Sequence, residues 1–215
     1  MEYFFLILAE NDFIVSYENG VIDAYTIKPS FENKGSFSID MTVLQSYYSN
    51  GFLALMAKDP TQNNTNNITN SKYKSFLDNN SNNNNTNSNK NYLFIKQENF
   101  LGKMSDFPLT KINAFTVINQ ILIFFGNEGI AYLKQEVVEN TLNLTLLHLQ
   151  TTEGIINTLA EYSGNLFTGN SLGIFGCWNF GNNGLELTGS MQIGNVRSLF
   201  KSSVLTQLLF IRIFS

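Results

Sequence analysis

The chain repeats one short unit: an apolar run, a polar turn closed by glycine, and a second apolar run. It reads "NDFIVSYENGVIDAYTI" at residues 11–27, "NQILIFFGNEGIAYL" at 119–133 and "GNLFTGNSLGIFGCWNF" at 164–180. The closing glycines are Gly20, Gly129 and Gly173. Glycine suits that place because a tight hairpin turn usually needs a positive φ, which a Cβ resists. Hairpins with turns at Asn19-Gly20, Glu128-Gly129 and Leu172-Gly173 are therefore expected. A chain that repeats a hairpin this regularly is expected to be almost entirely β.

A fourth copy is hidden by an insertion. Between residues 61 and 90 the composition collapses to Asn, Ser and Thr. Such a tract buries too little apolar surface to offset the entropy of ordering it, so it is expected to be disordered. Asparagine ladders also allow a second reading, a self-assembly segment. Sequons such as Asn63–Thr65 and Asn67–Thr69 arise by chance in any such tract. On either side lie "GFLALMAKD" (51–59) and "NYLFIKQ" (91–97), which both read as strands. Joined across the tract they make the second hairpin, because closing a longer loop costs only slightly more.

The spacing then suggests an architecture. Gly129 and Gly173 lie 44 residues apart, and Gly20 and Gly129 lie 109 apart. The second distance is about two periods of roughly 40 once an insertion of about 30 is removed, the period of a propeller blade. Further strands are expected at 3–9, 111–118, 142–150, 154–162 and 184–193. About four strands per repeat is what a blade requires. The composition agrees, with 19 Phe and 9 Tyr among 43% hydrophobic residues, since aromatic side chains pack well on pleated surfaces.

In its fourth unit the chain resembles the WD-repeat family. That family's blade reads Gly-His, an apolar strand, Ser-Gly-Ser-x-Asp-Gly, and a strand ending in Trp-Asp. In "TTEGIINTLAEYSGNLFTGNSLGIFGCWNF" (151–180), Thr168-Gly169-Asn170 takes the Ser-Gly-Ser place. Gly173 and Trp178 keep the spacing, and Asn179 replaces the final aspartate. Thr152 stands at the histidine and Leu172 at the turn aspartate. The resemblance thus implies that the family's buried His–Ser–Asp–Trp network does not form here and that apolar packing holds the blade. The first unit keeps Asn19 at the turn and Tyr25 at the tryptophan place; the third keeps Glu128. The expected fold is all-β and β-propeller-like. It has about four to five WD-repeat-like blades of four antiparallel strands in a single domain, residues 1–215. Residues 196–213 would open a fifth blade. An incomplete ring from a truncated gene is the expected form, and open sheet edges would then favour self-association.

Chemistry-bearing residues are few. His148 falls on one face of the strand "LLHLQ" with no nucleophile motif beside it. Cys177, the single cysteine, lies within an expected buried strand and reads as a small hydrophobe. No histidine or carboxylate spacing suits a metal, and "GNSLG" lacks the lysine and helix of a phosphate loop. No catalytic, cofactor-binding or metal residue is expected, and the chain is not expected to be an enzyme. Gly20, Gly129, Gly169, Gly173 and Trp178 are expected to be structural, with Trp178 largely buried between blades.

A formal net charge of −4, with 14% charged residues, argues against direct nucleic-acid binding. Glu2, Glu10 and Asp12 interrupt the apolar start, and no run reaches the roughly 18 apolar residues of a membrane span. The tail "VLTQLLFIRIF" is short and carries Arg212. A cytoplasmic or nuclear location is expected, with no membrane and no cofactor. The resemblance implies a non-catalytic scaffold for protein–protein contacts within a multiprotein complex. A narrower reading is the WD-repeat subunit of the THO messenger-RNA export complex, to which "KINAF" (111–115) at a blade opening is similar. A propeller-fold enzyme and an Asn-rich self-assembly protein are two further readings of the same chain.

Overall fold

The computed structural model describes residues 4–9, 12–26, 32–60, 90–162, 164–181, 184–193, 196–199 and 211–213. Among them the chain forms strands and no α-helix. Sheet 1 holds β1 (Phe4–Ala9), β2 (Asp12–Tyr17), β3 (Val21–Thr26) and β4 (Glu32–Ser38). Sheet 2 holds β5 (Thr42–Ser49), β6 (Phe52–Lys58), β7 (Asn91–Gln97) and β8 (Phe100–Ser105). Sheet 3 holds β9 (Ile112–Ile118), β10 (Ile121–Gly126), β11 (Ile130–Val138) and β12 (Thr141–Gln150). Sheet 4 holds β13 (Ile156–Tyr162), β14 (Asn165–Asn170), β15 (Ile174–Gly181) and β16 (Gly184–Gln192). Each is an antiparallel meander in chain order. A two-stranded sheet of β17 (Val196–Leu199) and β18 (Ile211–Ile213) follows.

The first strands of successive sheets touch in turn: β1 against β5, β5 against β9, β9 against β13, and β13 against β17. Four-stranded meanders stacked by their first strands give a β-propeller-like fold. β17 continues the series where a fifth blade was expected.

The core lies between the sheets. Along β6, Phe52 to Ala57 are all buried. Ala54 and Met56 pack with Phe115, Leu122 and Phe124 of sheet 3, while Leu53, Leu55 and Ala57 pack with Ile14 and Ile22 of sheet 1. Strand alternation sends successive side chains to opposite faces, and a blade covered on both sides must be apolar on both. β10 repeats this. Leu122 and Phe124 face sheet 2, and Ile123 and Phe125 join Ile156, Leu166 and Leu185 of sheet 4. Each such buried Leu or Phe contributes about 1.5–3 kcal/mol relative to exposure.

The expected hairpins are present. β2 pairs β3 around Asn19-Gly20, β10 pairs β11 around Glu128-Gly129, and β14 pairs β15 around Leu172-Gly173. β6 and β7 pair in unbroken register from Phe52↔Gln97 to Lys58↔Asn91, so the two flanks of the asparagine tract are one hairpin. The expected disorder of 61–90 falls on residues outside those described, Lys90 excepted. Lys90 is held by an ion pair to Asp106 at 3.2 Å.

Candidate functional site

The turns between second and third strands and the loops leading to the next sheet meet at one end of the sheets. Backbone bonds fasten them: Ile39 N–H to Gly20 O at 2.9 Å, Val43 N–H to Glu18 O at 3.0 Å, and Ser171 N–H to Ile155 O at 2.8 Å. In sheet 2, Asn91 does the same at the base of the inserted tract. Its carbonyl accepts from Phe107 N–H, and its Nδ2 donates to Leu109 O. In sheet 3 the Thr110 hydroxyl donates to Glu128 Oε1. Among the described residues this end carries Glu18, Asp40, Asp59, Asp106, Glu128 and Glu153 beside Lys58, Lys90 and Lys111.

The turn glycines are where steric crowding demands them. Gly20 has φ +90°, and a Cβ there would lie 2.1 Å from Ile39 O. Gly129 has φ +135°, and its Cβ would lie 2.2 Å from Gln150 O. Gly173 also has positive φ, +78°, and its carbonyl accepts from Ile193 N–H at 3.0 Å. Gly169 is buried in β14 opposite Phe175, with no positive φ.

Trp178 stands on the face of β15 that turns toward sheet 3, with Gly176 beside it. Its ring packs at the margin of the core between sheets 3 and 4 and is partly exposed. The outer edge of its sheet, at Leu187, is open to solvent, which leaves part of the ring uncovered. Its Nε1–H donates to Thr168 Oγ1 at 2.8 Å. One link of the polar network that was expected to be absent is thus formed. A Cβ at residue 176 would lie 2.9 Å from that indole nitrogen and 3.0 Å from the hydroxyl, so glycine leaves room for the bond.

Asn170 organises the turn of sheet 4. Its Oδ1 accepts from Leu172 N–H at 3.0 Å and Ile174 N–H at 2.9 Å, and its Nδ2 donates to Glu153 O at 2.7 Å. One carboxamide both shapes the turn and ties it to the incoming loop, because it carries donor and acceptor together. Thr152 turns back on its own loop, donating to Gly154 O at 2.9 Å. Leu172 is exposed.

Polar side chains also clasp neighbouring sheets, which the sequence pattern did not reveal. Gln45 of β5 exchanges two bonds of 2.9 Å with the Ile112 backbone, and Tyr47 donates to the same carbonyl at 2.5 Å. Between sheets 3 and 4, Tyr132 donates to Gln150 Oε1 at 2.5 Å and accepts from Leu185 N–H at 2.9 Å. Gln150 Nε2 donates to Leu185 O at 3.1 Å, closing the ring. Burial pushes the Tyr132 phenol up to about 12, because the charged phenolate would lose its water there.

The residues weighed for chemistry stay apart. His148 is exposed on β12 and stacks on Tyr132 with ring centroids 4.3 Å apart. Cys177 is half-buried rather than buried, opposite Phe167 and Gly189. Among the described residues no group of three His, Cys, Asp or Glu is placed to hold a metal.

The outer strands carry a different feature. Leu146, Leu147 and Leu149 of β12 and Leu187 and Met191 of β16 point into solvent, Met191 at 62% exposure. No protein-family model matches the chain, and no curated protein does. Among solved structures it is similar to Hsv2p of Kluyveromyces lactis, at 11% identity and a TM-score of 0.48. The match covers 92% of this chain and 52% of that one, so the chain spans about half the length of that structure.

Proposed function

We propose that the chain is a non-catalytic scaffold of WD-repeat type, a subunit that mediates protein–protein contacts within a multiprotein complex in the cytoplasm or nucleus. The observation that carries this reading is the contrast between the sheets' interiors and their outer strands. β6 and β10, in the middle of sheets 2 and 3, are packed on both faces, whereas β12 and β16 present Leu146, Leu147, Leu149, Leu187 and Met191 to water. Rigid sheets with apolar side chains on accessible strands suit partner surfaces, whose buried centres are more apolar than their rims. A formal net charge of −4 disfavours phosphate backbones, which favours protein partners over nucleic acid.

Affinity purification of the tagged chain from its native cells, with quantitative mass spectrometry, tests this. A stoichiometric complex with other proteins is the expected result. Recovery of the chain alone as a self-assembled species supports the asparagine-driven assembly reading instead. Substrate turnover by the purified chain supports an enzyme.

A further inference from the structure

The seams between neighbouring sheets are closed unequally at the end that carries the turns between first and second strands. Those turns are Asn50-Gly51 in sheet 2 and Asn119-Gln120 in sheet 3, and each opens on an asparagine at positive φ, +47° and +49°. Asn50 reaches across to sheet 3, where its Nδ2 donates to Val117 O at 2.9 Å. The Val117 side chain is itself buried in the core between sheets 2 and 3. Asn119 makes no such bond to sheet 4 among the described residues and is exposed. A cavity of about 530 Å³ opens there instead, bordered by Ile118 and Asn119 of sheet 3 and by Glu161, Asn179 and Phe180 of sheet 4. That volume is within the range of ligand pockets, roughly 300–1,000 Å³.

Glu161 is the sixth residue of β13, the place that Val117 takes in β9. A carboxylate thus stands where the neighbouring seam has a buried aliphatic side chain. Glu161 pairs in register with Leu166, which packs in the core between sheets 3 and 4. Strand partners share a face, so Glu161 is turned toward sheet 3. It is exposed, and among the described residues it forms no hydrogen bond or ion pair. It is also the one charged residue among those described on the lining. Lys134, which follows Ile118 and Ile121 across sheet 3, lies off the lining and is held by Glu136 at 3.5 Å. The cavity is therefore locally negative. Asn119 and Asn179 add carboxamides that are unbonded among the described residues, and Phe180 adds an aromatic wall.

We propose that this cavity takes an arginine side chain of a partner polypeptide. The guanidinium would pair with the Glu161 carboxylate and donate to the carboxamide oxygens of Asn119 and Asn179, with its planar face along Phe180. Arginine suits the site better than lysine because its donors form a planar fork that matches a carboxylate. A guanidinium is also weakly hydrated and stacks on aromatic rings. The inference rests on the scaffold reading and names the residue that one of its surfaces accepts.

The test uses immobilised peptides of about twelve residues, Gly and Ser around a central Leu-X-Leu in which X is Arg, Lys, citrulline or Glu. Citrulline keeps the shape of arginine and lacks its charge. The purified chain should be captured about tenfold better on the Arg set than on the citrulline or Glu sets, the scale of a charge-assisted hydrogen bond, with Lys between. The preference should weaken as salt rises. Glu161→Gln should remove the preference for Arg over citrulline, and Glu161→Lys should shift capture to the Glu set. Both variants change an exposed side chain, so their thermal midpoints should match that of the parent chain. Glu98→Gln, on the turn between β7 and β8, should leave capture unchanged. Equal capture of the Arg and citrulline sets, capture of neither, or an equal loss from Glu98→Gln overturns the proposal. A native complex that survives Glu161→Lys, with the peptides not discriminated, removes the arginine site while leaving the scaffold reading standing. Arginine capture that depends on Glu161 in a chain that forms no native complex supports the site and removes the scaffold reading.

Discussion

Trp178 and Thr168 are joined across β15 and β14 by an indole N–H to hydroxyl bond of 2.8 Å, with Gly176 making room beneath it. Thr168 is buried and Trp178 is half-buried, so the bond lies at the edge of the core. Thr168→Val keeps the shape and removes the acceptor. It should cost about 1–2 kcal/mol in a denaturant melt, and Thr168→Ser should cost less. Trp178→Ala removes the ring as well and should cost about 2–4 kcal/mol, below what a fully buried Trp gives. An unchanged midpoint for Trp178→Ala would mean that the ring contributes only to surface contacts.

Two glycines should respond very differently to the same substitution. Gly129→Ala places a Cβ against the Gln150 carbonyl at a positive φ and should destabilise by about 2–4 kcal/mol. Gly51 also has positive φ, +86°, but nothing lies within 4 Å of its Cβ position. Gly51→Ala should cost only the backbone term, about 1–2 kcal/mol. Thermal or urea unfolding of the pair measures the difference. Equal effects would show that the close approach of Gln150 does not hold.

The ring of bonds around Tyr132 gives stability a pH dependence. Its folded pKa is raised from about 10 to about 12. A raised acid favours folding in its protonated form. The contribution is therefore complete below about pH 10, the unfolded value, and is lost as pH climbs toward 12. Melts from pH 8 to 12 should show this decline, and Tyr132→Phe should flatten it. At neutral pH the same variant should cost about 1–2 kcal/mol, because Leu185 N–H and Gln150 lose their partner.

What could be read from the sequence was what repeats locally. The hairpins at Gly20, Gly129 and Gly173 were legible because a positive-φ turn selects glycine between two apolar runs. β4 was not, because in "ENKGSFS" most side chains face water and leave no alternation. β5 was missed for a related reason: Gln45, Tyr47 and Tyr48 break its apolar pattern, and two of them serve as clasps to Ile112. Those clasps join residues 65–67 positions apart, which no local pattern encodes. The network in sheet 4 was half legible. The Trp178 spacing pointed to the ring's place, but a family motif built on histidine and aspartate concealed the part Asn170 plays in the turn.

Deleting residues 61–89 should be tolerated. β6 and β7 are paired up to Lys58↔Asn91, and Asp59, Pro60 and Lys90 remain to connect them, a loop length common in hairpins. The thermal midpoint should move by less than about 3 °C, corresponding to about 1 kcal/mol or less. A fall several times larger would show that the inserted residues contribute to the fold.

Hydrogen exchange of the chain within its native complex, compared with the chain alone, tests the scaffold account most directly. A preformed platform should already protect the buried strands β6 and β10 when free, and binding should add protection only at accessible segments such as β12 and β16. Free β6 and β10 exchanging rapidly and becoming protected only in the complex would contradict it, as would a complex that adds no protection anywhere on the chain.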